Sequence, residues 1–212
     1  MTRLTFYFAN GACSLASHII LKEIGIPYRG VRIDLGAREN WSEDYLSINS
    51  RGKVPALFDG GRLLTENLAI MLYLARRYGE ERFPFEDDWT SAKTLETAAW
   101  FSNTVHPHFT HFRRPGRFTS DPRAEAAISA HGLARFSKAL NEIASMLDDG
   151  PWLIGNRFGI CDAYAIVFFD WASRRGIDWN QSVGADQWLR AMLERPAVRA
   201  ALSEEGSPLL PS

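Results

Sequence analysis

The chain is expected to fold as an α/β unit over residues 1–78, a linker over 79–88, and an all-α helical unit over 89–212. Three observations predict this. Leu4, Phe6 and Phe8 alternate with Thr5, Tyr7 and Ala9, a period-two strand. Asp59-Gly60-Gly61 separates two short apolar runs, a hairpin signal. From Trp89 onward the apolar residues recur only at helical spacing. A length of 212 residues is comfortable for two domains and long enough to bury a substantial core.

After the first strand, Asn10-Gly11-Ala12 reads as a turn, and Ser14 to Gly25 as a helix closed by its glycine. Val31 and Ile33, interleaved with Gly30, Arg32 and Asp34, give a second strand, and Ser42 to Ile48 a short helix. Val54 to Phe58 and Arg62-Leu63-Leu64 form the hairpin, and helix resumes near Glu66. Leu68 to Ala75 are apolar all round, which predicts a helix buried on both sides. This βαβα then ββα order fits a thioredoxin-like sheet. Pro84 and several acids mark the linker. Helical patterns follow from Ala92 toward His106, from Pro122 to Leu147, from Asp162 to Arg174, and near Trp188 and Ala197.

The composition is 46% hydrophobic and 23% charged, that of a soluble globular protein. The 24 basic and 25 acidic residues leave a formal charge of −1, which removes the electrostatic case for nucleic acid or an anionic membrane surface. No apolar run approaches the ~20 residues that span a bilayer, and the N-terminus lacks a signal-peptide core. The two cysteines, Cys13 and Cys161, form no framework. A reducing compartment, the cytoplasm, is the expectation.

Chemistry concentrates at three places. Cys13 stands between the first strand and the first helix. Unpaired amides and the helix dipole at such a position favour the thiolate, lowering the thiol pKa, or would favour the thiolate of a ligand placed there. Position 16 is Ala, so a dithiol redox cycle lacks its resolving partner; a small buried hydrophobe is the plain alternative. Pro55 opens a strand, where a proline either simply initiates or closes a cis peptide that turns Val54 toward a peptide-like ligand. Glu66 and Asn67 open a helix; they either complement its amides and dipole or grip the ammonium and carboxylate of a free amino-acid end. His106, His108 and His111, interrupted by Pro107, do not stack on one helical face, which argues against a metal. Pro107 should kink its helix and restrict His106. Arg113-Arg114 reads as a solvated helix end.

Together, the stretch Gly11 to His18, the loop residues Asn49, Gly52, Val54 and Pro55, and the Glu66 helix start resemble the cytosolic glutathione transferases. The cysteine makes the bacterial beta class the nearest match. In the second half, Asn103, Val105, His106, Phe109 and Arg114-Pro115 resemble that class's helix over the active site, and Gly155, Ile160 and Asp162 its core-helix start. The resemblance runs nearly end to end and implies the glutathione transferase fold, glutathione as co-substrate and a homodimer. It puts Cys13 beside the glutathione sulfur, Val54 and Pro55 against the cysteinyl part, Glu66 and Asn67 on the γ-glutamyl end, and Arg38 on the glycyl carboxylate. His106 and Asn103 would approach from the helical side. Ser50, Asn67, Ala99 and Gly159 depart from the usual residues.

The function this implies is conjugation of the glutathione thiolate to a small apolar electrophile, with Trp100, Phe101, Phe109 and Phe112 as candidates for the apolar half-site. Two rivals stand beside it: a glutathione-dependent thiol reductase with Cys13 as attacking group, and a non-catalytic module that kept the fold.

Overall fold

The computed structural model describes residues 4–83, 87–179 and 182–210. Strand β1 (Leu4–Phe8) and helix α1 (Ser14–Ile24) lead to β2 (Tyr28–Arg32). Then come α2 (Glu43–Ile48), the hairpin β3 (Ala56–Asp59) and β4 (Arg62–Thr65), and α3 (Asn67–Tyr78). The sheet order is β2-β1-β3-β4, with β1 parallel to β2 and antiparallel to β3. Gly25 closes α1 at φ 76, a left-handed turn that costs glycine nothing. β2 begins and ends earlier than its alternation predicts. Its partner β1 stops at Phe8, opposite Arg32, and the Ile33 N–H makes the last bond to the Phe8 carbonyl at 2.8 Å.

The second half comprises α4 (Asp88–Trp100), a π-turn at Phe101–Val105, α5 (His106–Arg113), α6 (Pro122–Met146), α7 (Ile160–Ser173), α8 (Val183–Glu194) and α9 (Pro196–Glu204). Asp87 caps α4 by accepting the Thr90 N–H at 2.7 Å, and Asp121 caps α6 ahead of Pro122. α3 ends at Tyr78 and α4 starts at Asp88; residues 84–86 of the expected linker, with Pro84, lie outside the described residues.

Two expectations need correction. The helix buried all round is α7, whose residues from Ile160 to Ala172 are all buried. On α3 only Asn67, Ile70, Met71, Leu74 and Ala75 are buried, because one face meets the sheet and α1 while Leu68, Leu72 and Tyr73 stay half-exposed. Pro107 does not break its helix. The π-turn just before it, where the His106 N–H reaches the Phe101 carbonyl, widens the helix and accommodates the ring, and His106 keeps helical angles.

Packing joins the halves. α1 lies against α3, α7 and α9. α5 meets α6 so closely at Gly132 that a Cβ there would stand 2.4 Å from the Phe112 nitrogen. At the start of α7 the buried Asp162 accepts from the Gly159 N–H at 2.9 Å, the Leu153 N–H at 3.1 Å and the Trp188 indole at 2.8 Å.

Candidate active site

A cavity of about 1090 Å³ opens between the two halves of the chain. One wall is the turn after β1, the loop into β3 and the start of α3; the other is α5, the turn after it, and Tyr164 and Trp171 of α7. Of the residues singled out by sequence, Cys13, Val54, Pro55, Glu66, Asn67, Asn103 and His106 all line it. Arg38 does not.

Cys13 caps α1 and is half-buried; its Sγ donates to the Val54 carbonyl at 3.8 Å. The expected depressed thiol pKa is reversed. Burial pushes the Cys13 thiol up to about 12, with Glu66 and Glu205 adding in the same direction and Lys53 opposing. Desolvation of the thiolate outweighs the helix-start amides. In the resting protein Cys13 is a neutral S–H donor. Cys161 is free, buried and donates to the Thr94 carbonyl at 3.4 Å.

The Val54–Pro55 peptide is cis, the second of the two readings of that proline. Asn40 and Asn49 hold this loop by donating to the Gly52 and Lys53 carbonyls, at 2.8 and 2.7 Å. Across from it, Glu66 holds a left-handed backbone (φ 69), uncommon outside glycine and found where a site imposes it. Its exposed carboxylate meets Arg51 at 3.4 Å and makes no cap to α3. Asn67 accepts from Ser17 Oγ at 2.7 Å, while its buried Nδ2 has no hydrogen-bond partner among the described residues. An orphaned buried donor costs about 1–3 kcal/mol until something accepts from it.

Arg38 is exposed on the loop before Glu39, also at positive φ (60), and Lys53 is the cation on that side of the cavity. His106 packs edge-on against Trp171, ring centroids 4.9 Å apart. Burial, then the cations Lys53, Arg114 and Arg117, hold its pKa down at about 4. Phe109 stacks on Trp171 at 4.3 Å. Of the other aromatics considered for the apolar wall, Phe101 is fully buried in the core, and Trp100 and Phe112 are not in the lining. Arg113 and Arg114 are exposed at a helix end, as read, yet with Arg117 they line the cavity.

Sequence reasoning missed Lys53, Tyr164, Trp171, Arg113 and Arg117 as wall residues, and placed Arg114 over the site by resemblance alone. Lys53 had a signal, since it adjoins Val54-Pro55. Tyr164 and Trp171 stand seven apart, two helical turns, on one face. That the Trp171 indole also donates to the Gly11 carbonyl at 2.9 Å had none.

A four-stranded thioredoxin-like domain carrying a cysteine, a cis-proline loop and an acid-amide helix start, joined to an all-helical domain across one cavity, defines the architecture of a glutathione transferase. Family models agree: residues 3–76 match the glutathione S-transferase N-terminal domain and residues 121–201 its C-terminal domain. The chain is 35% identical to the glutathione S-transferase GstA of Escherichia coli O157:H7 over 207 residues, covering 96% of this chain and 99% of that protein. A glutathione transferase homologue from Sulfitobacter, solved with bound glutathione, superposes with a TM-score of 0.89 at 27% identity, over 98% of this chain and all of that one. The bacterial beta-class transferase of Sphingomonas chungbukensis gives 0.81 at 30% identity, over 95% and 98%. This chain belongs to the glutathione S-transferase family, and its likeness extends to the beta class. Among the described residues, no helix is long and apolar enough to cross a membrane.

Proposed function

We propose that this enzyme binds glutathione in the cavity and transfers its thiolate to a small apolar electrophile. The observation that carries the reading is the orphaned, buried Asn67 Nδ2, which lines one cavity with its neighbour Glu66 and with Cys13. A γ-glutamyl end offers a carboxylate for Asn67 and an ammonium to take the place of Arg51 on Glu66. Val54 and Pro55 meet the cysteinyl part, and Lys53, rather than Arg38, meets the glycyl carboxylate. Asn103 and His106 close the site from the helical side.

The glutathione sulfur then lies by Cys13 and the first amides of α1, donors that favour a thiolate. For an aryl halide the sulfur bonds the ring carbon, the halide leaves with its bonding pair, and the thiol proton passes to water. Holding both reactants in place removes most of the entropic cost of their meeting. Phe109, Trp171 and Leu72 give the electrophile an apolar wall. The thiol reductase alternative needs Cys13 as a thiolate, and a pKa near 12 weighs against it.

The two free cysteines suit the cytoplasm. A homodimer would cover Trp89 and Leu95, exposed on α4. The test of the function is a conjugation assay with glutathione and 1-chloro-2,4-dinitrobenzene. Saturable, enzyme-dependent product is expected; a rate equal to the uncatalysed one would overturn the proposal.

A further inference from the structure

The charge of the cavity is far from that of the chain. A protein of formal charge −1 lines this space with Lys53, Arg113, Arg114 and Arg117 against a single carboxylate, Glu66. Among the described residues, none of the three arginines forms an ion pair. Three guanidiniums without an ion-pair partner stand within five positions and repel one another; Arg113 lies over the Phe112 ring, 5.9 Å from its centroid. Burial does most to lower the His106 and Arg114 pKa values, and the neighbouring cations add to it: Lys53, Arg114 and Arg117 at His106, and Arg117 at Arg114.

Glutathione does not use this charge in the binding mode proposed above, on which the present inference rests. Its ammonium meets Glu66, its carboxylates Asn67 and Lys53, all on the sheet-domain wall. The arginines belong to the opposite wall, at the end of α5 and in the turn after it, beside Thr110, Phe118 and the stacked Phe109–Trp171 pair. An aromatic wall that shares its cavity with three guanidiniums fits an aromatic ring bearing a carboxylate, which a guanidinium binds through two parallel hydrogen bonds.

We infer that the second substrate of this transferase is an anionic arene, an electrophilic ring whose carboxylate is held by Arg113, Arg114 and Arg117. The ring lies against the stacked Phe109–Trp171 pair and turns its halide-bearing carbon toward the glutathione sulfur. Attack there forms the C–S bond and releases the halide with its electron pair, the thiol proton going to water.

The experiment compares 4-chloro-3-nitrobenzoate with 1-chloro-2,4-dinitrobenzene as acceptors for the wild type and for the R113Q/R114Q/R117Q variant. The ratio of their kcat/KM values cancels any general loss of activity between the proteins. Replacing the charged partners should lower the benzoate-to-neutral ratio roughly ten- to a hundred-fold, and R113K/R114K/R117K should recover part of it. Glutathione affinity, measured by calorimetry, should stay near the wild-type value. An unchanged ratio, or a loss of glutathione affinity in place of a changed ratio, overturns the inference. Should the wild type conjugate neither arene, the proposed function fails by itself. Calorimetry with 3-nitrobenzoate on the glutathione-loaded protein then decides the arginines' role: binding that the triple Gln variant loses supports it, and equal binding by both proteins overturns it.

Discussion

The Gly11 N–H donates to the buried Glu205 carboxylate at 3.1 Å, joining the turn that presents Cys13 to the residue that closes α9. The other oxygen of Glu205 meets His18 Nδ1 at 2.9 Å, and the Gly11 carbonyl accepts from Trp171, so the C-terminal half holds both polar groups of Gly11. Glu205→Ala leaves the amide and the imidazole without a buried acceptor. It should cost about 1.5–3 kcal/mol, the range for hydrogen bonds to charged groups, and weaken glutathione binding through a loosened turn. Urea unfolding measures the first; a midpoint equal to the wild type would show that the contact does not hold the turn.

Among the described residues, Glu66 is the one carboxylate in the cavity wall. Glu66→Ala should weaken glutathione binding by ~1.5–3 kcal/mol, roughly ten- to a hundred-fold. Lys53→Ala should give a smaller loss that shrinks with salt, as befits a charge contact near solvent, and Arg38→Ala almost none. Calorimetry that found Arg38→Ala the weaker binder of these two would restore the residue the sequence suggested.

His106 has its pKa lowered from 6.5 to about 4, so the folded protein holds the neutral ring. Its contribution to stability is complete above pH 6.5 and is lost as the pH falls through about 4. His106→Gln should therefore lessen the acid sensitivity of the unfolding midpoint in that window. The wild-type rate of conjugation should show no inflection near 6.5 that depends on this residue; one that vanished in His106→Gln would contradict the neutral assignment.

Light scattering at micromolar concentration should return twice the 23.9 kDa of one chain. Charged substitution of Trp89 and Leu95 should shift it toward a single chain. A wild-type mass near 23.9 kDa would refute the homodimer.

The legible parts of this fold were those written in local chemistry. The alternation in β1, the Gly25 stop, the Asp59-Gly60 turn and the Pro122 start of α6 each follow from nearby residues. What sequence could not supply came from distant partners. The Cys13 pKa depends on the walls that bury it, and the α3 face depends on which neighbours arrive. The exclusion of Arg38 depends on the path of its own loop, where the Asp34 carboxylate accepts from the Gly36 and Ala37 N–H groups. Pro107 shows a local rule overridden: the widened turn before it was invisible in the residue pattern.

The central claim is that glutathione supplies the nucleophile and Cys13, neutral at rest, only donates to its sulfur. Cys13→Ala tests it most directly, read as conjugation of 1-chloro-2,4-dinitrobenzene by a protein shown by calorimetry to bind glutathione. The variant should keep measurable catalysis, because the α1 amides and the rest of the cavity remain, while any reduction of mixed disulfides disappears. Conjugation falling to the uncatalysed rate in a folded, glutathione-binding Cys13→Ala protein would contradict the account.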